Sequence, residues 1–528
     1  MKNDMEVTLL DCTLRDGGHL TGGVFGELMI KKTIENLVKA GIDIIEIGFL
    51  MEESYGSDVA KFRTLEDVRR VLPSDLRQSK ISLMADFIDV DALEPYDGTV
   101  EYIRLSFKRQ RLAWALDAAT KLMDKGYKCF INPVNCNVYT EEEYLNVIHE
   151  VNKLNPYGFS IVDTFGVLRK SDFSKLYNLV ESNLNKEICL GVHLHENLGI
   201  SFLIAQYFLE IHNTNRKINI DASLLGMGRA PGNLCIEQIM DHMNEQYGCS
   251  YSLEPALDLI NDYIEPLKEE KKWGYSVPYF LSAKYRLHRT YAEFLMNKWK
   301  LGVKDIQRIL SNIDRSEAEY FNEEYIEKLY LEYIQIGVDD AEDVNSIERI
   351  ISNKDILLVA PGSSIEKYAE KIKKLSMQGN VCTFSVGFKA DFLKENFVWL
   401  SSIKRYNQFD FDSADGKIII TSNIKRDAEL YDYIIDFNSV LYHNDVANDN
   451  SLLLIMNLLK RMKHGKIFLA GFDGFNSDKS NFYGNMINRD VENKEINNTI
   501  AKELERSYSE VDFEFITPSM YDDKLCKP

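Results

Sequence analysis

Two histidines, His193 and His195, stand two residues apart in the stretch GVHLHENLG. Because successive side chains of a β-strand point to opposite faces, a strand at this place would present both imidazoles on one face. Two imidazoles on one face can chelate a single divalent cation, whereas two histidines that only pack and form hydrogen bonds would show the same spacing. The pair alone leaves a metal site and a structural role both open.

A second group of polar residues follows the first apolar run of the chain. The stretch LLDCTLRDGGHLTGG, residues 9–23, places Arg15, Asp16 and His19 between a strand-like start and several glycines, a pattern typical of a buried strand that ends in a loop. The carboxylate of Asp16 would complete a set of two nitrogens and one oxygen with coordination positions left over. Such a set suits Mn²⁺, Mg²⁺, Co²⁺ or Fe²⁺ better than a closed zinc site.

Eight short apolar runs alternate with longer amphipathic stretches in the first part of the chain. They lie at residues 7–11, 42–49, 81–87, 101–107, 128–134, 158–166, 188–197 and 218–228. Runs that are apolar on both faces are typical of parallel strands covered by helices, and eight of them predict an N-terminal (β/α)8 TIM barrel. An open doubly wound sheet is the alternative, but polar residues at the ends of the runs favour the barrel, which gathers its chemistry on that rim.

The pattern changes twice beyond the predicted barrel. We expect a barrel over residues 1–235, a helical extension that covers the barrel mouth over 236–350, and a C-terminal Rossmann-like α/β domain over 351–528. The middle region is rich in acidic residues, tyrosine and leucine, and the last one alternates again between strand-like and helix-like stretches. The sequence therefore predicts an α/β protein with two sheets.

A strand, a turn and a helix are predicted from the stretch ILLVAPGSSIEKYAEKIKK. Its turn residues Gly362, Ser363 and Ser364 would direct backbone N–H groups and a helix N-terminus toward an anion such as phosphate. A nucleotide or sugar-nucleotide site, to which His443 could contribute, is one interpretation. Ordinary turn chemistry between a strand and a helix is the other.

Composition limits the classes of function. A formal net charge of −20 over 528 residues argues against nucleic acid or an anionic membrane as the main partner. The start of the sequence shows no signal-peptide pattern, and no long uncharged apolar run occurs, so we expect a cytoplasmic protein. The eight cysteines form no CxxC pair, which argues against a zinc ribbon and a disulfide framework.

Four motifs, TLRDGGH, VDTFG, GVHLHENLG and GMGRAPGN, occur in this order within residues 5–235. Together they resemble the motifs of the metal-dependent pyruvate-type aldolases, lyases and acyl-condensing synthases built on a TIM barrel, and most of all those of the 4-hydroxy-2-oxovalerate aldolases. The resemblance implies a divalent metal, with Mn²⁺ as the first candidate and Mg²⁺ or Co²⁺ as others. The resemblance also implies that Asp16, His193 and His195 bind this metal. It places Arg15 beside the enolate oxygen and gives His19 the role of the base.

Elementary chemistry agrees with these implied roles. Cleavage of a C–C bond beside a 2-oxo acid leaves the enolate of pyruvate, whose charge a cation stabilises. Arg15 would add a permanent positive charge, and His19 can take the proton of the 4-hydroxyl group at neutral pH.

Four other residues are candidates for the site. The resemblance places Tyr279, in the stretch WGYSVPYFLSA, where a tyrosine hydroxyl assists proton transfer, whereas packing is the alternative. Glu46 could orient substrate or belong to the supporting structure, and Asp163 is a substrate-contact candidate at the end of a strand. Asn233 could contact the metal or cap the following helix.

The leading prediction is an aldolase that cleaves or forms a 4-hydroxy-2-oxo acid from a 2-oxo acid and an aldehyde. The alternatives are a Claisen-type condensation of an acyl-CoA with a 2-oxo acid, as in isopropylmalate or homocitrate synthases, and a barrel that is only a platform for the last domain. The position of His19 directly after RDGG favours the aldolase, and the completeness of the polar set disfavours a platform. The absence of cysteine from GMGRAPGN disfavours a thiol-assisted lyase.

Partners follow from the same reading. The chain continues into a second α/β region where the resembling aldolases carry a dehydrogenase-docking domain, so an aldehyde dehydrogenase partner is in doubt. A homodimer is left open.

Overall fold

The computed structural model describes residues 6–298, 301–442, 450–475 and 494–522. The chain folds into two compact units, the first formed by Met1–Glu293 and Asp314–Phe321 and the second by Phe294–Ile313 and Asn322–Pro528. The helical region expected over 236–350 is thus shared between the two units. Within the described ranges, every helix is too short or too polar to span a bilayer.

The predicted barrel is confirmed, and the open sheet is wrong for this part of the chain. The strands of the first unit are β1 (Val7–Asp11), β2 (Ile44–Leu50), β3 (Lys61–Phe62), β4 (Lys80–Asp86), β5 (Tyr102–Phe107), β6 (Lys128–Pro133), β7 (Gly158–Asp163), β8 (Cys189–Leu194) and β9 (Ile218–Ala222). All the pairings between them are parallel, in the order β1-β9-β8-β7-β6-β5-β4-β2, and β1 also pairs with β2, which closes the barrel. The short strand β3 adds to β2 outside the ring.

The period of two along each strand separates an apolar outer face from a polar lumen. In β8, Leu190, Val192 and Leu194 belong to the hydrophobic core that packs under the helices. The intervening residue His193 therefore faces the lumen, and His195 follows in the same alternation just past the strand. The predicted common face of the two histidines is confirmed.

Helices cover the outside of the ring. The helices of the first unit are α1 (Thr13–Asp16), α2 (Gly18–Thr21), α3 (Glu27–Ala40), α4 (Leu65–Arg69), α5 (Leu112–Asp124), α6 (Glu141–Leu154), α7 (Lys170–Asn183), α8 (Ser201–Ile211), α9 (Ile236–Tyr247), α10 (Leu253–Leu259), α11 (Glu265–Lys271), α12 (Val277–Tyr285) and the start of α13 (Thr290–Met296). A π-helical turn, Ile260–Ile264, joins α10 to α11. The helix α6 begins with a capping box between Thr140 and Glu143, so its first N–H groups are satisfied by its own sequence.

The second unit contains the predicted second α/β sheet. Its elements are α14 (Val303–Leu310), α15 (Glu323–Ile334), α16 (Ala341–Ile351), β10 (Asp355–Val359), α17 (Ser364–Ser376), β11 (Val381–Val386), β12 (Phe397–Leu400), α18 (Ile403–Gln408), β13 (Lys417–Thr421), β14 (Tyr433–Ile435), α19 (Phe437–Val440), α20 (Ser451–Lys460), β15 (Ile467–Ala470), α21 (Lys494–Ser507) and β16 (Phe513–Phe515). The strands form one parallel sheet in the order β14-β13-β12-β11-β10-β15-β16. The order reverses between β10 and β15, which is the topological switch point of an open sheet.

The turn after β10 lies at this switch point and is held by the loop after β15. The N–H of Gly362 donates to the carbonyl of Gly471 at 2.9 Å, and the N–H of Ser364 donates to the Asp473 carboxylate at 2.8 Å. The hydroxyl groups of Ser363 and Ser364 also donate to Asp473. The start of α17 is therefore occupied by a carboxylate of the chain itself, and nucleotide binding there stays a prediction. The other residue considered for this site, at position 443, lies outside the described residues.

Candidate metal centre and active site

Three side chains from distant parts of the sequence meet at the C-terminal rim of the barrel. Asp16 ends α1, directly after β1, while His193 lies at the end of β8 and His195 just beyond it. One ligand atom from each of the three residues lies within 4.8 Å of the others. All three are buried, with exposed fractions of 3%, 4% and 8%. The structure thus brings together the three ligands predicted from the sequence.

Both imidazoles are fixed through Nδ1. The Nδ1 atom of His193 lies 3.1 Å from the Asp221 carboxylate, and Nδ1 of His195 lies 3.1 Å from the backbone carbonyl of Asp163. Because both partners accept hydrogen bonds, each Nδ1 carries the proton and each Nε2 keeps its lone pair. Metal-ligating histidines show this outer arrangement.

Neighbouring charges keep Asp16 ionised. Its carboxylate accepts hydrogen bonds from Arg15 Nη1 at 2.6 Å, from Asn233 Nδ2 at 2.8 Å and from the backbone N–H of Arg229 at 3.2 Å. Burial opposes the charge, but the Arg15 guanidinium and the nearby imidazoles hold the pKa of Asp16 well below its usual range. A carboxylate ligand needs to be deprotonated, as this one is.

The cluster fits a divalent cation on two further observations. Burial, with the neighbouring His193, lowers the pKa of His195 to about 3, so this imidazole is neutral at pH 7, as a ligand must be. The Asn233 side chain anchors Asp16 through its nitrogen, while its buried Oδ1 has no hydrogen-bond partner among the described residues. An orphaned acceptor beside a carboxylate and two imidazoles is a further donor that a cation can use.

A network of charges below the cluster crosses the barrel lumen. Arg15 Nε donates to Glu46 Oε2 at 2.7 Å, and Arg104 donates to the same oxygen at 3.2 Å and to Asp221. Glu46, Arg104 and Asp221 have exposed fractions of 0%, 0% and 1%. Glu46 therefore positions two arginines and is not among the residues that line the cavity.

A cavity of about 330 Å³ opens above the cluster. Its lining comprises Arg15, Asp16, His19, Phe49, Met84, Asp86, Arg104, Ser106, Phe107, Lys108, Asn132, Val134, Asn135, Val162, Thr164, Phe165, His193, His195, Arg229, His288 and Glu319. The predicted catalytic residues Arg15 and His19 share this cavity with the three predicted ligands. The size lies at the lower end of the range for small-molecule sites.

His19 is a neutral imidazole at the cavity wall. Its Nε2 accepts a hydrogen bond from Arg229 Nη2 at 3.2 Å, and its ring packs edge-on against Phe49 with 5.4 Å between the ring centroids. Burial, together with the charge of Arg229, lowers the pKa of His19 to about 4. Since an arginine cannot accept a hydrogen bond, Nε2 is the unprotonated nitrogen.

Tyr279 and Asp163, like Glu46 and Asn233, do not line the cavity. The hydroxyl of Tyr279 donates to Glu293 at 3.0 Å, and the Asp163 carboxylate accepts the backbone N–H groups of Val167 and Leu168 at 2.9 and 3.0 Å. Asp163 acts on the cluster through its carbonyl, as described above.

Several residues of the cavity and of the charge network below it escaped the sequence reasoning. Arg229 stands inside the quoted GMGRAPGN motif and could have been found there, and the charges of Arg104 and Asp221 interrupt strand-like apolar runs. Lys108 and His288 come from a loop and from the region after α12. No sequence pattern marked these last two.

The fold and the site define a closed TIM barrel with a buried Asp-His-His cluster on its catalytic rim. The family described as HMGL-like matches residues 6–261, just under half of the chain. Residues 6–261 are thus similar to this family, whose members are lyases and synthases. The rest of the chain lies outside the match.

Individual relatives are distant and point to two kinds of reaction. A 4-hydroxy-2-oxovalerate aldolase of Pseudoalteromonas translucida is 24% identical over 50% of this chain and 78% of its own length. A probable 2-isopropylmalate synthase of Methanosarcina mazei is 22% identical over 47% of this chain and 48% of its own length, so the match spans about half of that relative. A homocitrate synthase AksA of the same organism is 23% identical over 49% of this chain and 65% of its length.

One solved structure shows a distant similarity. The N-terminal domain of a putative aldolase from Bacteroides vulgatus is 22% identical, with a TM-score of 0.48, over 55% of this chain and 97% of that one.

Proposed function

We propose that the first unit is a divalent-metal aldolase that cleaves a 4-hydroxy-2-oxo acid to pyruvate, or a homologue of it, and an aldehyde, or joins them. The observation that carries the proposal is the meeting of the Asp16, His193 and His195 cluster with Arg15 and His19 in one cavity. An aldol cleavage needs charge stabilisation at the oxo oxygen and a base at the 4-hydroxyl, and this cavity offers both.

Asp16, His193 and His195 would hold the cation, with Asn233 Oδ1 as a further donor and Mn²⁺ as the first candidate. When bound, a divalent cation supplies positive charge to the oxygen on which the enolate charge develops. Arg15 is held by Asp16 and Glu46 in a fixed orientation at the cavity wall and adds a permanent charge beside that oxygen.

His19 would act as the base in the cleavage direction. Its Nε2 gives up the Arg229 N–H that it accepts and takes the proton of the 4-hydroxyl group instead. The bond between C3 and C4 breaks, and the aldehyde carbonyl forms at C4 while the electron pair moves into the enolate. Protonation at C3 then gives the 2-oxo acid. His19 needs no prior deprotonation, because its pKa of about 4 keeps it neutral at pH 7. The hydroxyl of Tyr279 is engaged with Glu293, so proton transfer is assigned to His19 alone.

The relatives also support a second candidate, a Claisen-type synthase that joins an acyl-CoA to a 2-oxo acid, since two of them are synthases by name. The position of His19 directly after RDGG favours the aldolase, since the resembling aldolases carry their base there. A thioester substrate would instead release free coenzyme A, which a thiol reagent detects.

Product analysis separates the two reactions. The full chain, reconstituted with Mn²⁺, is incubated with pyruvate and a panel of aldehydes, and in parallel with pyruvate and acetyl-CoA, and products are identified by mass. Condensation with an aldehyde and no release of coenzyme A is the expected result. Product formation that requires acetyl-CoA would contradict the aldolase, and the Asp16→Asn protein serves as the metal-site control.

For the second unit we propose a site for a nucleotide or a sugar nucleotide. A nucleotide or sugar nucleotide would bind at Gly362, Ser363 and Ser364, where Asp473 now takes the N–H and hydroxyl groups. Calorimetry of the full chain against a nucleotide panel tests it, and the absence of any saturable heat would contradict it.

A further inference from the structure

Two cations in the cavity of the first unit form no ion pair among the described residues. Arg15 and Arg104 are both ion-paired inside the barrel. Arg229 and Lys108 also line the cavity, and in the described part of the chain no carboxylate oxygen lies within 4.0 Å of their charged nitrogens. Burial of the Arg229 guanidinium outweighs the attraction of the more distant carboxylates and lowers its pKa, so an anion that enters the cavity would stabilise its charge.

Arg229 lies on the side of the cavity where the aldehyde would form. Its backbone N–H contacts Asp16, and its side chain extends to His19, the residue proposed to take the 4-hydroxyl proton. The 4-hydroxyl oxygen becomes the aldehyde oxygen after cleavage. The guanidinium is therefore beside the aldehyde half of the substrate.

The region around Arg229 has a positive potential. Lys108, directly after β5, extends over the ring of Tyr320 with its ammonium 4.4 Å from the ring centroid. Burial, followed by the charges of Arg289, Arg229 and Lys108, lowers the pKa of His288 in the cavity wall to about 4. These cations raise the affinity for an anion that enters the cavity.

The same cavity offers acceptors that lack donors. Asn135 is 4% exposed, and its buried Oδ1 has no hydrogen-bond partner among the described residues. The exposed carboxylate of Asp86 also lines the cavity, within the field of the cations Arg229 and Lys108. A buried acceptor is normally paired, so a hydroxyl group of a ligand would pair Asn135, and Asp86 is free to accept another.

We propose that the aldehyde half of the substrate carries an oxyanion, a phosphate or a carboxylate, that binds Arg229 and Lys108, and hydroxyl groups that donate to Asn135 and Asp86. This inference rests on the proposed aldolase function and names its substrate class. The substrate aldehyde is then a hydroxylated, anionic one and not a simple alkanal.

Rates with matched aldehydes test the inference. The Mn²⁺-loaded full chain is assayed with pyruvate and glyceraldehyde 3-phosphate, succinic semialdehyde or glyceraldehyde. We expect kcat/KM for at least one charged aldehyde to exceed that for glyceraldehyde by about tenfold or more, and the preferred aldehyde identifies phosphate or carboxylate. The substitution Arg229→Gln should lower the rate with both kinds of aldehyde, and the loss should be about 10- to 100-fold larger for the charged aldehyde than for glyceraldehyde. This is the effect of a lost charge-assisted hydrogen bond.

A purely positioning role of Arg229 gives a different result. If Arg229 only orients His19, Arg229→Gln slows all three aldehydes by the same factor, and the inference is wrong. A rise in KM for pyruvate without a change in aldehyde preference would place the guanidinium on the 2-oxo acid half and would also overturn it. The matched control is Arg111→Gln. Arg111 lies near the same loop but does not line the cavity, and its guanidinium carbon lies 3.4 Å from the centroid of the Phe87 ring.

Binding of an unreactive anion separates this inference from the aldolase function. Glycerol 3-phosphate should bind the full chain saturably in calorimetry, glycerol should not, and Arg229→Gln should weaken the binding about tenfold or more. If no aldehyde reacts but this binding is found, the aldolase proposal fails and the anion site stands. Equal heats for wild-type and Arg229→Gln would refute the anion site whatever the rates show.

Discussion

Replacing Asp221 by asparagine tests whether the buried network supports the proposed metal centre. The Asp221 carboxylate holds Nδ1 of His193, pairs with Arg104 and accepts a hydrogen bond from Asn219 at 2.8 Å. Asparagine keeps the shape but removes the charge, and its amide nitrogen has to face an N–H group of Asn219, Arg104 or His193. The substitution therefore loosens His193 and leaves Arg104 with Glu46 as its carboxylate partner.

The size of both effects follows from these contacts. Loss of an outer carboxylate that orients a ligand weakens metal binding about 10- to 100-fold. Breaking a buried ion pair costs about 3–5 kcal/mol, and because Glu46 still pairs with Arg104 we expect about 3 kcal/mol for the metal-free protein. With free metal at about 1,000 times the wild-type Kd, the cation adds about 4.1 kcal/mol to the unfolding free energy, and a 100-fold weaker Kd reduces this to about 1.4 kcal/mol.

Two measurements separate the effects. Competition with a chelator gives the metal affinity, and urea unfolding with and without metal gives the two stabilities of Asp221→Asn. The matched control is Asp43→Asn, which removes a carboxylate bonded to Tyr251 and the Leu9 N–H next to the amino end of β2, opposite the catalytic rim. Wild-type metal affinity in Asp221→Asn, with a loss only in metal-free stability, would refute the supporting role of Asp221.

Three further outcomes are expected. Asp16→Asn and His193→Ala should each lose bound metal and activity together, as measured by elemental analysis and rate assays. An inactive protein with full metal content would show that the ligand is misassigned. His19→Ala should keep its metal and lower C–C cleavage by about two to four orders of magnitude, while deuterium exchange at the methyl group of pyruvate persists in part; unchanged cleavage would exclude His19 as the base. Burial lowers the pKa of His288 to about 4 in the folded state, against 6.5 in the unfolded state, so the unfolded state takes up the proton first as the pH falls. The unfolding free energy should therefore decrease between pH 6.5 and 4 by up to about 3 kcal/mol. The unfolding free energy of His288→Gln should decrease less over the same range.

The barrel could be predicted because its strands carry a strong signal. Runs that are apolar on both faces occur where parallel strands lie between a packed lumen and a helical layer. In β7 all six residues, Gly158–Asp163, are buried, and the predicted run differed only at its carboxyl end. The division of the helices after residue 235 gave no comparable signal, because an amphipathic helix shows which face is buried and not which unit buries it.

The ligands of the candidate site could be predicted from strand geometry and the order of the motifs. The spacing of His193 and His195 fixes a common face, and Asp16 follows a strand that closes the same ring. The direction of a side chain at a strand end is less determined by sequence. Asp163 turns back to accept N–H groups of its own loop, and Tyr279 turns toward Glu293, since local hydrogen bonds decide such orientations.

Charges inside strands are informative when they are considered as pairs. Arg104 and Asp221 interrupt apolar runs on two strands that are not neighbours in the ring, and both are buried. A buried charge needs a partner, so one such residue predicts another of opposite sign at the same height of the lumen. The partner could not be identified from the sequence, because the order of strands around a closed ring decides which residues face each other.

The anion site predicted from sequence in the second unit differs from the one inferred from structure in the barrel. At the start of α17, the N–H of Ser364 already has the Asp473 carboxylate, so a phosphate has to compete with an anion that the chain supplies at no cost in translational entropy. The Arg229 guanidinium in the barrel forms no ion pair in the described part of the chain, and it donates to the neutral imidazole of His19. An uncompensated guanidinium gains more from an external oxyanion than a satisfied helix terminus does. The barrel cavity is accordingly where an anionic ligand of this protein should be sought first.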